Sequence, residues 1–325
     1  MPVSVPPAFV VADGALAPPP ALARPVLAIG NFDGVHRGHL AVIGAARRMA
    51  QRLGRPAAAL TFEPHPRAVF QPHLPLFRLT PGAQKLAELA RAGLDGAIVM
   101  AFDPALAAIP AEAFVEDILV GRFGASGVVV GFDFHFGRAR TGSPAFLREA
   151  GARLGFPVEV VEPTLDEGDP VSSTAIRNAL AAGLVGHAAH MLGRAWSVRG
   201  EVRHGDKRGR VLGFPTANLV LPPGTELAFG IYAVRALVDG LPVDGVASYG
   251  RRPTFDNGAP LLEVNLFDFS GDLYGREIEV SLHNYLRPEL KFASIDALVA
   301  QMEKDAAMAR ATLAKADLPG APRPA

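Results

Sequence analysis

Residues 29–39 read IGNFDGVHRGH and place two imidazoles, His36 and His39, three positions apart behind a bend that holds Gly34. The apolar run VLAIG before the bend reads as a strand ending near Gly30, and a helix is expected to begin near His39. That junction is the carboxyl edge of an α/β sheet, where open sheets take their ligands. A helix N-terminus there offers free N–H groups and about half a positive charge. Gly34 and Gly38 let the backbone come close to a phosphate with no Cβ in the way. His36 and His39, both near the first turn, can face the same point. As N–H donors, charged or neutral, they would steady charge that builds on a phosphate. A lone histidine in such a place is ordinarily a surface residue on a capped helix; the setting of the whole string argues for a site. The G-x-G-x-x-G spacing of a dinucleotide fingerprint is absent from it, and no Walker A loop occurs in the chain.

A second stretch, HGDKRGRVLGFPTANL at 204–219, has the makings of a phosphate loop. Gly205, Gly209 and Gly213 loosen a segment that carries Lys207, Arg208 and Arg210, and such a segment can close over phosphates. Behind it Pro215 fixes the backbone. Thr216 and Asn218 have the spacing of two that sends both side chains to one face of a strand. A hydroxyl and an amide oxygen are hard ligands of the kind Mg²⁺ takes, in small number, while keeping its waters. In LLEVNLFDF, Leu262, Val264 and Leu266 face one way and Glu263 and Asn265 the other. A carboxylate on a barrel wall is usually only solvated; beside Mg²⁺ and ATP it can take a proton from an attacking hydroxyl.

Three further strings accompany the histidines. In SSTAIRNAL at 172–180, Ser172 or Ser173 can cap a helix with Arg177 one turn in, offering hydroxyls, N–H groups and a guanidinium to a triphosphate. TFEPHP at 61–66 and GFDFHFG at 131–137 bring Phe62, Phe134 and Phe136 to the ends of two strands, where rings either join the core or stack on a flat ligand.

The elements that must position these residues come in two kinds. From Pro25 to about Gly183, near-continuous apolar runs (PVLAIGNF, PAAALTF, GAIVMAF, GVVVGFDF, PVEVVEP) alternate with helical patterns. That pattern predicts parallel strands covered on both faces, in a doubly wound α/β sheet. TPGAQKLAELARAG and SPAFLREAGARLG are expected to open on a hydroxyl cap followed by proline, and Gly54 to end the helix after the histidines. Beyond about His187 six short alternating runs predict a small six-stranded antiparallel β-barrel, with Asp239–Gly240 as a hairpin turn. A C-terminal helix from Ser294 shows Leu298 and Met302 on one face. The expected boundaries are a flexible arm at 1–24, the α/β domain at 25–185, the barrel domain at 186–316 and a flexible tail at 317–325.

The chain has 325 residues, 32 Lys and Arg against 32 Asp and Glu, and no cysteine. Zero net charge gives no sign of a nucleic-acid partner. Without cysteine there is no disulfide, no thiolate nucleophile and no cysteine zinc site, which suits a reducing cytoplasm. No apolar run is long enough for a membrane partner, and the N-terminal segment lacks the early basic cluster of a signal peptide.

A strand followed by HxGH resembles the nucleotidyltransferase superfamily. With SSTAIRNAL, TFEPHP and GFDFHFG, the first half resembles the adenylyltransferase module of bacterial bifunctional riboflavin kinase/FAD synthetases. LGFPTANL, GIYAVRA, GVASYGRRPTF, LEVNLFDF with DLYG, and YLRPELKF resemble the riboflavin kinase module of the same family. The resemblance covers about nine-tenths of the chain. It implies that the chain makes FMN from riboflavin and FAD from FMN, with two ATP and Mg²⁺. It implies that His36, His39, Ser173, Thr174 and Arg177 handle one ATP, with Asn31 and Asp133 lining the site and Phe62 and Phe136 near the flavin. In the kinase half it implies Gly205, Lys207 and Gly213 at ATP, Thr216 and Asn218 at Mg²⁺ and phosphate, Glu263 as base and Arg287 near the flavin. The chain departs from the family pattern at Asp133, where some relatives have asparagine, at Ser248–Tyr249, usually Asn-Ile, and at Asn265, often histidine. Two rival expectations are a nucleotidyltransferase for another phosphorylated substrate and a flavin-binding regulator without catalysis. Oligomeric state is left open.

Overall fold

A computed structural model describes residues 9–204, 212–251 and 260–316. The chain divides into two compact units between Ser173 and Thr174.

The first unit is built on a wholly parallel sheet in the order β1-β4-β3-β2-β5-β6. The strands are β1 (Val10–Asp13), β2 (Val26–Ile29), β3 (Ala57–Glu63), β4 (Gly96–Ala101), β5 (Gly127–Gly131) and β6 (Val158–Val161). Helices α1 (Arg37–Leu53), α2 (Pro66–Phe70), α3 (Gly82–Arg91), α4 (Pro104–Ala107), α5 (Ala111–Ala113) and α6 (Pro144–Leu154) connect them. Directly after α5 the chain winds as a π-helix over Phe114–Arg122. In β2, Leu27 and Ile29 belong to one core cluster and Val26 and Ala28 to the other. Both faces of the sheet are therefore buried, which is why its strands read as unbroken apolar runs.

Gly54 ends α1 in the left-handed conformation at φ 60°, as expected. Ser143 caps α6 through the Phe146 N–H. Thr80 does not cap α3: Pro81 stands at that position, and the Thr80 hydroxyl accepts from Gly34 N at 2.8 Å instead. A short hairpin, β7 (Leu165–Asp166) with β8 (Asp169–Pro170), was not signalled by periodicity because each strand has only two residues.

The arm expected to be flexible over 1–24 requires correction for the residues described. Val10–Asp13 extends the sheet beside β4, and Leu22 is fully buried. The β-branched run there supplies a strand, and the prolines flank it rather than interrupt it.

In the second unit, α7 (Ser173–Ala181) and α8 (Val185–Leu192) precede a closed barrel in the order β10-β13-β12-β11-β14-β9. Its strands are β9 (Trp196–Arg203), β10 (Ala217–Val220), β11 (Gly230–Val238), β12 (Leu241–Arg251), β13 (Pro260–Leu266) and β14 (Glu277–Arg287), the six expected. Asp239 and Gly240 turn the β11–β12 hairpin with φ of 53° and 81°, the pair of positive values that a two-residue turn of this hand requires. α9 (Ile295–Ala316) opens on the Ser294 cap and buries Ala309 and Leu313 against Ala233 and Phe267. The unit starts earlier than the expected boundary at 185/186 because α7 and α8 pack on the barrel: Ala228 N donates to Leu180 O at 3.1 Å, and α8 lies on β9 and β14. The tail at 317–325 lies outside the described residues.

Candidate active sites

β2 stands in the middle of the first sheet. The chain runs from it to β3 and β4 on one side, then returns to β5 and β6 on the other. The carboxyl end of β2 is thus the topological switch point, where a doubly wound sheet leaves a crevice. The loop leaving β2 is held in a costly conformation: Phe32, Gly34 and Val35 have φ of 51°, 92° and 43°. For a β-branched residue such as Val35 this region is rare, and backbone of this kind persists only where its surroundings over-determine it. Phe32 and Val35 are both buried, which anchors the loop.

α1 begins at Arg37, two residues before the expected start, so His36 is its N-cap and accepts from His39 N through Nδ1 at 3.4 Å. In the neutral ring an accepting Nδ1 leaves the proton on Nε2. The two imidazoles stack with centroids 3.7 Å apart and planes 20° apart, and the edge of His39 meets Phe32. Gly38 leaves room for this: a Cβ there would stand 3.2 Å from the His36 ring, a tight contact. His39 Nδ1 is buried without a hydrogen-bond partner among the described residues. Burial, then the charges of His36 and Lys85, hold His39 well below the ordinary imidazole pKa, so it is a neutral imidazole at neutral pH.

The other residues expected here are placed as follows. Ser173, the last residue of the first unit, donates its hydroxyl to Asp33 O at 2.8 Å. Arg37 pairs with Asp166 of the β7–β8 hairpin at 3.4 Å. Asn31 is exposed on the loop, and its carbonyl accepts from Thr61 Oγ1 at 3.2 Å. Thr174 and Arg177 follow Ser173 on α7. Asp133 is exposed just beyond β5. Phe62 and Phe136, expected beside the flavin, are core residues 8% and 7% exposed. Phe62 meets Phe102 edge-on, and Phe136 packs with Phe114, Phe134 and Phe146, so packing alone accounts for both rings.

Sequence reasoning missed an ionic cluster under this loop. Glu63 takes two bonds from Arg78, at 2.9 and 3.1 Å, and pairs with Lys85 at 2.6 Å. Asp33 accepts from Leu79 N and Thr80 N, with Arg78 3.5 Å away. The signal was present in α3, where Lys85 and Glu88 share the buried face with Leu89.

In the barrel, Asn218 of β10 stands directly opposite Glu263 of β13, and Glu263 opposite Ser248 of β12. The neighbouring register pairs, Leu219 with Leu262 and Ala217 with Val264, are buried inside the barrel. Strand alternation therefore sets Asn218, Glu263 and Ser248 in one row on the outer face. Asn218 is only 5% exposed, and Glu263 is half-buried. Thr216 sits just before β10. Asn265 holds that entry in place, its Nδ2 donating to Pro215 O at 2.8 Å, which gives a role to one of the departures. Gly213 takes φ 86° at the same approach. Gly205 and Lys207 lie outside the described residues. Arg287 binds Asp305 of α9 through two nitrogens at 2.8 and 2.6 Å, so it serves as a fastening for the helix. Among the described residues no cluster of three or more His, Cys, Asp or Glu has the arrangement of a metal site, and no helix is long and apolar enough to cross a membrane.

Comparisons with known proteins fall on these same two units. The family model for FAD synthetase matches residues 19–175, and that for riboflavin kinase matches 192–313. The bifunctional riboflavin kinase/FMN adenylyltransferase of Pseudomonas fluorescens is 43% identical over 290 residues, covering 89% of this chain and 93% of the relative. The protein of that name from Escherichia coli (strain K12) is 41% identical over 286 residues, covering 88% and 91%. A crystal structure described as a macrolide-efflux protein from Streptococcus pneumoniae superimposes with a TM-score of 0.84 at 31% identity, covering 93% of this chain and 99% of the other. The matches to both halves set aside a nucleotidyltransferase for another substrate and a regulator without catalysis. With a doubly wound nucleotidyltransferase-like unit followed by a six-stranded barrel, each matched by its own model, the chain belongs to the bifunctional riboflavin kinase/FMN adenylyltransferase family.

Proposed function

We propose that the two activities of the family, riboflavin phosphorylation and FMN adenylylation, run at the two sites described, each on its own ATP. In the barrel, the Glu263 carboxylate takes the proton of the riboflavin 5′-hydroxyl as that oxygen attacks the γ-phosphorus of ATP, forming FMN and releasing ADP. The observation that carries this is the cross-strand row of Asn218 and Glu263 on one face, which sets a hard-oxygen ligand beside a candidate base. Thr216 and Asn218 would hold Mg²⁺: two neutral oxygen donors suit an ion that keeps most of its water. When bound, the ion neutralises phosphate charge. Gly205, Lys207 and Gly213 are the residues assigned to the nucleotide.

In the first unit, a phosphate oxygen of FMN attacks the α-phosphorus of a second ATP, and pyrophosphate leaves. His36 and His39 steady the charge of that transition state, joined by the N–H groups at the start of α1. Ser173 binds the triphosphate, the role that the resemblance also implies for Thr174 and Arg177. Asn31, Gly34 and Gly38 shape the crevice, with Asp133 at its rim. A buried His39 nitrogen without a hydrogen-bond partner among the described residues supports this assignment. Neither step needs a covalent intermediate. Phe62, Phe136 and Arg287 enter this account only as the frame around the flavin positions. A chain without cysteine suits the cytoplasm.

The test is product analysis by chromatography with riboflavin or FMN as the starting flavin, with and without Mg²⁺. Glu263→Ala is expected to lose FMN formation by about 100-fold or more, the scale of general-base catalysis, while still converting FMN to FAD. His36→Ala with His39→Ala is expected to do the reverse. Loss of both activities in either folded variant would contradict the assignment.

A further inference from the structure

The mechanism above does not use Lys85, yet this side chain is only 1% exposed and lies directly beneath the β2 loop. Its Nζ is 3.0 Å from Thr61 Oγ1, 3.2 Å from Phe62 O, 3.4 Å from Asn31 O and 2.6 Å from Glu63 Oε1. Taking an ammonium out of water costs several kcal/mol, and here the cost is met by oxygens from the carboxyl end of β3 and from the loop itself. Arg78 continues the contact: it grips Glu63 with two nitrogens and approaches Asp33. Backbone N–H groups of Leu79 and Thr80 hold the Asp33 carboxylate, and the Thr80 hydroxyl holds Gly34 N. Residues 78–85 thus grasp the loop at Asn31, Asp33 and Gly34. These positions alternate with the left-handed Phe32 and border Val35, where the backbone is under most strain.

We propose that Lys85, with Glu63 and Arg78, is a positioning residue of the adenylyltransferase site. It fixes the Asn31 carbonyl and the strained turn after it, and so sets where α1 begins and where the stacked His36 and His39 rings stand. The chemistry agrees with the geometry. A one-residue relaxation of the turn would move the His36 cap, and misplacing a reacting geometry by about 1 Å can cost about 100-fold in rate. Lys85 also acts on His39 through its charge, helping to keep that imidazole neutral alongside burial and His36. Glu63 remains ionised: burial alone would raise its pKa, but the bonds and charges of Arg78 and Lys85 bring it below the ordinary value.

The test uses the full chain carrying Lys85→Met, compared with Lys85→Arg. Steady-state FMN-to-FAD kinetics, riboflavin phosphorylation and an NMR titration of the His39 ring are measured on each. For Lys85→Met the expected result is a kcat for FAD formation lowered toward about 100-fold, with KM for ATP nearly unchanged. The His39 titration should move upward toward the ordinary histidine range, and riboflavin phosphorylation should be unaffected. Lys85→Arg, which restores the charge, should return the His39 titration and recover part of kcat. If Lys85→Met does not fold, Lys85→Gln, which keeps a donor for Thr61 and Asn31, carries the same readouts. A folded variant with wild-type kcat would overturn the proposal. So would a loss that only tracks the folded fraction while the His39 titration stays in place. Wild-type protein that made no FAD would instead contradict the proposed function itself, so the two failures are separable.

Discussion

Burial and the charges of His36 and Lys85 make neutral His39 the form that the folded chain selects. Unfolded, the same group titrates near 6.5. Between the depressed folded value and 6.5 the unfolded chain binds the extra proton, so stability is fully present above that window and is lost as pH falls through it. The slope approaches about 1.4 kcal/mol per pH unit for one proton. Thermal unfolding of the first unit, followed by histidine NMR, should therefore shift downward as pH drops from 6.5. His39→Phe should show a smaller shift; an equal one would contradict the assignment. The placement of the histidines at the start of α1, and of Asn218 and Glu263 on one face, was legible because motif spacing and strand alternation carry it. Lys85, Arg78 and Glu63 were not, because what makes them matter is contact between residues 31–34, 61–63 and 78–85, and no local period records it. Phe62 and Phe136 were ambiguous for a related reason: an aromatic at the end of a strand reads alike whether it faces a ligand or the core, and both are buried in the core.

Elements were the most legible part of the chain. Strands β2 to β6 of the sheet and all six barrel strands follow their apolar patterns, while β7 and β8 are too short to leave one. The edge strand β1 was obscured by its proline-rich surroundings. How α9 is fastened to the barrel was also hidden, since Arg287 and Asp305 are 18 residues apart. Both side chains are mostly buried, and removing one partner from such a pair costs about 3–5 kcal/mol, whereas replacing both with apolar groups is often neutral. Asp305→Ala should lower the melting temperature of the barrel unit markedly, and Arg287→Met with Asp305→Leu should recover most of it. A differential scanning calorimetry trace in which the single variant melts with the wild type would sink this account of α9. The N-cap is a smaller contributor: Ser294→Ala should cost about 1 kcal/mol.

At the scale of the molecule the family and the two-unit plan were legible, and the position of the divide was not. Helices α7 and α8 carry no mark of the unit they serve; the bond from Ala228 N to Leu180 O decides it for α7, and contact with β9 and β14 for α8. A fragment 174–325 should fold and phosphorylate riboflavin, and one beginning at 193 should melt at a lower temperature, because it lacks the bond from Ala228 N to Leu180 O and the packing of α8. Equal melting temperatures would mean that the two helices add nothing to the barrel. The central claim is that two independent sites, each with its own ATP, share one polypeptide. Its most direct test is to mix Glu263→Ala with the His36→Ala/His39→Ala variant, supply riboflavin, ATP and Mg²⁺, and follow the flavins by chromatography. The account predicts no FAD from either variant alone and FAD from the mixture, as FMN released by one protein is consumed by the other; a mixture that makes FMN and never FAD, while Glu263→Ala also fails on added FMN, would contradict it.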